Sequence, residues 1–238
     1  MVNAGYRFTV HNEKYTAVLT GRTVKILRKG TREELARFKD LKHARFCTFN
    51  PVKNMLATKS IEPWLAFYCL DTMKLLRVIE TEKPVYKETL SKYSYANLHE
   101  CGFCFSHDGK RLLNIEPVSD LRTQKNPGCV THLVEYDCQT FEETARHFSE
   151  STYVFRVIER HEDGYLLSGT EYKKSRNYSH AAAAMYHLSA APGKPENYTH
   201  WEGVHIIAFF DGKALTKKRE ISAKEFVEIS PYAEIYYQ

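Results

Sequence analysis

The sequence predicts an all-β fold built from repeated antiparallel sheets of four short strands. Runs of four to eight residues rich in Val, Ile, Thr, Tyr and Phe alternate with turns of Gly, Asn, Asp, Lys and Pro, which is the pattern of strands and hairpins. A stretch at 49–57, "FNPVKNMLA", returns in altered form at 105–114 as "FSHDGKRLLN". Helical periodicity is scarce. With 238 residues the chain can bury a substantial core, so we expect one domain over 1–238.

The repeat extends into the later strands of each unit. The run from Leu65, "LAFYCLDTMKLLRVI", matches the run from Leu133, "LVEYDCQTFEETARHF", so that Tyr68 falls on Tyr136. A four-stranded sheet has two faces, and both need covering. Neighbouring sheets are therefore predicted to stack around an axis and close into a ring, which is the β-propeller architecture.

Four units are predicted, and the rest of the chain supplies a fifth. The units span 6–38, 44–80, 100–148 and 153–202. The fifth, 203–238, takes its four strands from "VHIIAFFDG", "ALTKKREIS", "EFVEIS" and "AEIYYQ". An alternative interpretation is that "VEISPYAEIYYQ" forms the first two strands of another sheet. The chain would then be part of a larger propeller, or a second chain would complete its ring. We favour closure within the chain as a five-bladed ring, because an open ring leaves unpaired edges. The run Ala181–Ala184 conflicts with the third strand expected there, since Ala favours helix.

These units resemble the WD40-like β-propellers, whose blades carry Phe-Ser-Pro-Asp-Gly-x-x-Leu-Ala before an apolar third strand. The residues that carry the resemblance are Phe49, Pro51, Leu56 and Ala57, with Asp71 in the following turn, and then Phe105, Ser106, Asp108, Gly109 and Leu112. The resemblance covers about residues 6–168. No Trp-Asp pair ends a unit and no Gly-His pair opens one. It implies a non-enzymatic scaffold that binds a protein or peptide.

Three long connections are predicted to share one rim, because the loops between second and third strands and those between sheets leave the same side. They are "TEKPVYKETLSKYSYANLHE", "EPVSDLRTQKNPGCV" and "GTEYKKSRNYSH"; each contains Lys or Arg or both, and the first and third also contain Tyr. Long loops on a compact domain are usually functional, and Tyr and Arg anchor recognition surfaces. The predicted partner-binding residues are Tyr86, Lys87, Lys92, Tyr93, Tyr95, Arg122, Lys125, Tyr172, Lys173, Lys174, Arg176 and Tyr178.

A nucleic-acid partner is the alternative hypothesis. Residues 1–45 hold 11 Lys and Arg against 4 Asp and Glu, a net charge of +7, while the whole chain carries +5. Phosphate pairing by this basic unit and base stacking on the tyrosines would bind a single strand. Affinity that falls steeply with salt would favour this alternative over a protein partner.

Catalytic and metal-binding patterns are weak. Cys101 and Cys104 lie between His99 and His107, but positions three apart on a strand face opposite ways, so we expect buried thiols and no metal. The carboxylate pairs Glu33-Glu34 and Glu142-Glu143 fall in outer fourth strands, where solvated carboxylates are expected. No nucleophile elbow, phosphate-cradling Gly loop or His-Glu-x-x-His helix occurs. We therefore expect no enzyme and no cofactor.

The cellular location of the chain is predicted from the length of its apolar runs and from its first residues. No run approaches the roughly 20 apolar residues that cross a bilayer. The start of the chain lacks the basic-then-apolar pattern of a signal peptide. We expect a cytoplasmic protein with no membrane partner, and the residues predict no oligomeric state.

Overall fold

The computed structural model describes residues 8–20, 23–60, 62–81, 102–118, 130–149, 152–175 and 200–229. These residues form four antiparallel sheets of four strands, and within each sheet the strands lie in chain order. The predicted all-β fold of four-stranded antiparallel sheets is therefore confirmed. Within the described residues no helix has the length and apolar character needed to span a membrane.

The first two sheets are formed by the first 80 residues. The first sheet contains β1 (Phe8–His11), β2 (Tyr15–Leu19), β3 (Val24–Arg28) and β4 (Glu34–Phe38). The second contains β5 (Ala44–Phe49), β6 (Met55–Ser60), β7 (Trp64–Cys69) and β8 (Lys74–Glu80).

The other two sheets have longer central strands. The third sheet contains β9 (Phe103–Phe105), β10 (Arg111–Val118), β11 (Val130–Asp137) and β12 (Glu143–His147). The fourth contains β13 (Tyr153–His161), β14 (Gly164–Ser175), β15 (His200–Phe210) and β16 (Leu215–Glu220). The chain then forms one helical segment, α1 (Ala223–Ile229).

Consecutive sheets pack face to face and bury one apolar core at each of three interfaces. Phe38 of the first sheet stacks on Tyr68 of the second, with ring centroids 4.1 Å apart. Phe67 and Phe105 meet in the second core, and Phe155 and Phe210 lie in the third. Burial of each such side chain contributes roughly 1.5–3 kcal/mol. Since β5 contacts β1, β9 contacts β5 and β13 contacts β9, the first strands are neighbours, and the arrangement is propeller-like.

The internal repeat is visible in the coordinates. Tyr68 and Tyr136, which the sequence alignment superposes, are both buried on the third strands of their sheets. The following turns contain Met73 with φ 52° and Phe141 with φ 62°. These two residues also superpose, so the second and third sheets share a third-to-fourth turn with the same left-handed residue.

The sequence-based division of the last 86 residues is wrong. The segment around 204–220, predicted to open a fifth sheet, supplies the third and fourth strands of the fourth sheet. The segment "EFVEIS", predicted as a strand, lies largely in helix α1. Ser222 and Glu225 explain the helix: the Glu225 amide donates to Ser222 Oγ at 3.1 Å, and the Ser222 amide donates to Glu225 Oε2 at 2.8 Å. This reciprocal capping box starts a helix.

Helix α1 lies beside the fourth sheet. The Phe226 ring stacks on the His205 ring of β15, with centroids 4.6 Å apart and planes 10° from parallel. The run Ala181–Ala184 and the residues 230–238, which the sequence assigned to strands, lie outside the described residues.

All four sheets share one orientation, which defines two rims. On one rim the first strand turns into the second: Asn50 Nδ2 donates to the Gly109 carbonyl at 2.7 Å, and His107 Nε2 lies 2.9 Å from the Gly164 carbonyl. We call this the turn rim, formed by the turns at 12–14, 50–54, 106–110 and 162–163. The opposite side, where β6, β10 and β14 end and where β8 leaves the second sheet, is the loop rim.

Candidate partner-binding rim

The three long connections all start and finish at the loop rim. One follows β8, one joins β10 to β11, and one joins β14 to β15. Across the third and fourth sheets, the Phe155 amide donates to Thr131 Oγ1 at 2.7 Å, which holds the start of β11 against the start of β13. The strand ends that carry the connections therefore lie on one side of the molecule, as the sequence predicted.

Most of the predicted partner-binding residues lie outside the described residues. These are Tyr86, Lys87, Lys92, Tyr93, Tyr95, Arg122, Lys125, Arg176 and Tyr178. Their assignment to a binding surface stays a prediction. The structure describes Tyr172, Lys173 and the backbone of Lys174.

These three residues were predicted in a loop, and this is wrong: they belong to β14. They pair with Gly203, Glu202 and Trp201 of β15. The strand continues this far because β15 offers backbone partners as far as Ser175, which pairs with His200. A Cβ atom on Gly203 would lie 3.1 Å from the Tyr172 ring, so the ring covers a glycine on the neighbouring strand. Tyr172 is consequently half-buried and in part structural.

Lys173 is held in a ladder of ion pairs on the fourth sheet. Its Nζ lies 3.1 Å from Glu220 Oε1 and 3.7 Å from Glu171 Oε2. Lys218 Nζ lies 2.8 Å from the other Glu171 oxygen and 5.5 Å from the centre of the Tyr153 ring. The hydrogen bond to Glu220 raises the pKa of Lys173 above its ordinary value. The ladder alternates charge between β14 and β16, so it does not form a purely basic surface.

A buried polar cluster lies beside the loop rim between the second and third sheets. Lys59 Nζ donates to Asn114 Oδ1 and to the Ile115 carbonyl, both at 2.7 Å. Asn114 Nδ2 donates to Glu116 Oε1 at 2.9 Å, and the Tyr136 hydroxyl donates to the same oxygen at 2.5 Å. Burial is the main cause of a raised pKa of the Tyr136 hydroxyl, and the negative charge of the Glu116 carboxylate raises it further. If the two sheets moved apart, these buried charged groups would lose their partners, which is energetically costly. The cluster therefore fixes the two sheets rigidly against each other.

The position of the cluster follows from strand alternation. Met55 and Ala57 of β6 lie in the core between the second and third sheets, and Lys59 is the next residue on that face. Leu112 of β10 lies in the same core, followed on its face by Asn114 and Glu116. The apolar interface thus becomes polar towards the loop rim. The sequence analysis missed this cluster, although Lys59 at a core-facing strand position was the signal.

A groove of about 500 Å³ runs between the outer strands of the second and third sheets. Val78, Ile79 and Phe141 contribute apolar surface to its lining. Arg146 also lines it, and its guanidinium makes two hydrogen bonds to Glu143, at 2.9 and 2.7 Å. The groove extends along β8 as far as Thr81.

The candidate catalytic groups are engaged in structural contacts. Arg28 binds Glu33, and Arg37 binds Glu34 through two hydrogen bonds of 2.7 and 2.8 Å. The hydrogen bond from Arg37 holds the pKa of Glu34 below its ordinary value. The lowered pKa of Glu34 favours its ionised form, whereas a general acid needs a raised pKa.

The cysteine and histidine pattern does not converge on a metal within the described part of the chain. Cys104 is buried, and burial raises the pKa of its thiol to about 12. His107 contacts the Gly164 carbonyl on the turn rim. No group of three or more potential metal-ligating side chains occurs among the described residues. His99 and Cys101 lie outside them.

Comparison with known proteins shows similarity in fold only. No family model matches the sequence, and no curated protein matches it. The computationally designed Ika4 protein superposes with a TM-score of 0.50 at 8% identity, over 70% of this chain and 87% of that one. Hydrazine synthase from Kuenenia stuttgartiensis superposes with a TM-score of 0.52 at 12% identity, over 88% of this chain. The match spans about half, 51%, of the hydrazine synthase chain.

Proposed function

We propose that the four sheets are blades of a β-propeller and that the molecule is a non-enzymatic scaffold whose loop rim binds a protein or peptide partner. The observation that carries the proposal is the convergence of the three long connections on one rim. Binding residues concentrate on loops held by a rigid framework. The tyrosines and basic residues of these connections have the composition of recognition surfaces.

The framework beneath the loops supports this function energetically. The Lys59–Asn114–Glu116–Tyr136 cluster and the Thr131–Phe155 contact tie three sheets together near the loop rim. A partner that binds this rim would therefore leave the sheets unchanged. This limits the entropic cost of binding to the loop residues.

The first sheet gives less support to a nucleic-acid partner. Several of its cations are already paired with its own carboxylates: Arg28 with Glu33, Arg37 with Glu34, and Lys25 with Glu34 at 4.0 Å. Lys14 lies in the turn between β1 and β2, on the rim opposite the long connections. One nucleic-acid strand would have to follow both rims to use the basic first sheet and the tyrosine-rich segments together.

Affinity capture with matched variants tests the proposal. The full chain is used as bait beside a loop-rim variant, Tyr93→Ala with Tyr95→Ala, and a turn-rim control, Lys29→Ala with Lys213→Ala. We expect a protein captured by the wild-type chain and the control to be lost with the loop-rim variant, while circular dichroism shows unchanged folding. Capture that survives in the loop-rim variant, or that disappears on nuclease treatment, would contradict the proposal.

A further inference from the structure

A second cavity lies on the turn rim, away from the proposed partner surface. Its volume is about 510 Å³, within the ordinary range of roughly 300–1,000 Å³ for small-molecule sites. Its walls come from three sheets: residues 10–14 of the first, 48–54 of the second, and Arg160 of the fourth. The first and fourth sheets thus approach each other around it, so it lies at the centre of the propeller-like arrangement.

The charge of this cavity is unbalanced. Lys14, Lys53 and Arg160 line it, against the single carboxylate of Glu13. Among the described residues, no acidic oxygen lies within 4 Å of these three cations, in contrast to the paired cations of the first sheet. Lys53 has an electrostatic interaction with the more distant Asp137 carboxylate of the third sheet. Three cations supplied by three different segments repel one another and lower their free energy by sharing an anion.

The backbone of the cavity is rigid where the cations are attached. Asn12 Oδ1 accepts hydrogen bonds from the Lys14 and Tyr15 amides, at 2.9 and 2.7 Å. Asn50 Oδ1 accepts from the Val52 and Lys53 amides, at 2.9 and 2.8 Å. The two lysines therefore sit in side-chain-locked turns, and Arg160 lies on a strand. With the backbone fixed, an anion that binds would have to order only the side chains that carry the charges.

We propose that this cavity binds a free polyphosphate anion, either an inorganic polyphosphate or the phosphate chain of a nucleotide. Lysine ammonium groups bind phosphate as point charges, and the arginine guanidinium binds two oxygens side by side. Cations on three sides of a walled cavity suit a compact anion with several phosphates. A long nucleic-acid strand would need an open groove and is the less suitable occupant.

Calorimetric titration of the full chain with tripolyphosphate at low ionic strength tests the site. We expect saturable binding, and a loss of affinity of about tenfold, or about 1.4 kcal/mol, for Arg160→Gln and for Lys53→Gln, since each variant removes one charged contact to the anion. The matched control is Lys110→Gln, because Lys110 lies on the same rim outside the cavity lining and faces Asp108 at 3.9 Å. This variant should bind as the wild type does.

Two further titrations separate the sources of the phosphate. Adenosine triphosphate that binds more tightly than tripolyphosphate identifies a nucleotide, and equal affinity identifies the phosphate chain alone. The proposal is overturned if tripolyphosphate does not bind, if the Lys110 variant loses as much affinity as the Arg160 variant, or if only a single-stranded oligonucleotide binds. Because none of these residues lies on the loop rim, the outcome does not depend on the proposed partner function.

Discussion

Lys59 and Asn114 are joined by a hydrogen bond of 2.7 Å across two different sheets, and both residues are almost completely buried, at 3% and 0% exposure. They are 55 residues apart in the sequence. The same lysine also reaches the Ile115 carbonyl. A single side chain therefore satisfies two acceptors of the neighbouring sheet, at the polar end of an interface whose core is apolar.

Replacement of this lysine is predicted to destabilise the fold strongly. Lys59→Met fills similar volume but leaves Asn114 Oδ1 and the Ile115 carbonyl without their donor. Each unsatisfied buried group costs roughly 1–3 kcal/mol, so the loss of a donor for two groups should lower the free energy of unfolding by about 2–6 kcal/mol. Urea denaturation followed by fluorescence measures this change. Lys74→Met, at an exposed position on β8, is the control and should stay within about 0.5 kcal/mol of the wild type.

The pairing of Lys59 with Asn114 also shows what could be predicted from the sequence. Local alternation of apolar residues was sufficient to predict four-stranded antiparallel sheets, and the structure has them. The buried cluster depends on which strands face each other across two sheets. That relationship is not local, and a lysine near a strand end looks like a solvated residue when its partner is unknown.

The error in the fourth sheet has a different physical origin. Its second strand ends at Ser175 and its third strand begins at His200. A long insertion therefore separates two adjacent strands. Two local signals were overlooked. Asp211 caps the third-to-fourth turn through the amides of Lys213 and Ala214, both at 2.8 Å, as Asp137 does in the third sheet. The Ser222 capping box then marks a helix where a strand was predicted.

Gly109 is predicted to tolerate no side chain. Its φ is 65°, and a Cβ atom there would overlap the side-chain oxygen of Asn50, which also caps the turn at 50–53. Gly109→Ala should therefore cost about 1–3 kcal/mol through backbone strain and the displaced amide. Gly30 has a similar φ of 73° with open space around it, so Gly30→Ala should cost only about 1 kcal/mol. Equal shifts of the thermal midpoint in the two variants would refute the contact with Asn50.

Asp137 is predicted to make stability depend on pH in the acid range. Its carboxylate accepts the Thr140 and Gln139 amides, which hold its pKa below the ordinary value of 3.8. A carboxyl group with a lowered folded pKa contributes stability above its unfolded pKa, and this contribution is lost as the pH falls through the folded pKa. The free energy of unfolding of the wild type should therefore decrease on acidification from about pH 5 to pH 2.

Asp137→Asn retains an acceptor oxygen but cannot titrate, so its unfolding free energy should fall less steeply over the same pH range. Asp163→Asn, which removes an exposed carboxylate from another turn, controls for the general loss of one charge. Denaturant titrations at intervals of pH give the slopes. If the Asp137 and Asp163 variants have the same slope, the turn hydrogen bonds do not control the acid response.

The cysteines are predicted to differ in reactivity according to their burial. Cys69 is partly exposed, and a hydrogen bond with the Thr72 side chain lowers the pKa of its thiol. Burial raises the pKa of Cys104 and of Cys138 to about 12. Because the thiolate is the reactive form, iodoacetamide at neutral pH should modify Cys69 before Cys104 and Cys138, and should reach those two only after unfolding. Peptide mass spectrometry of a labelling time course measures each site separately, with Cys69→Ser as the control that removes the fast reaction. Rapid labelling of Cys104 in the native protein would mean that the third and fourth sheets do not cover it, and the packing of those two sheets would then be wrong.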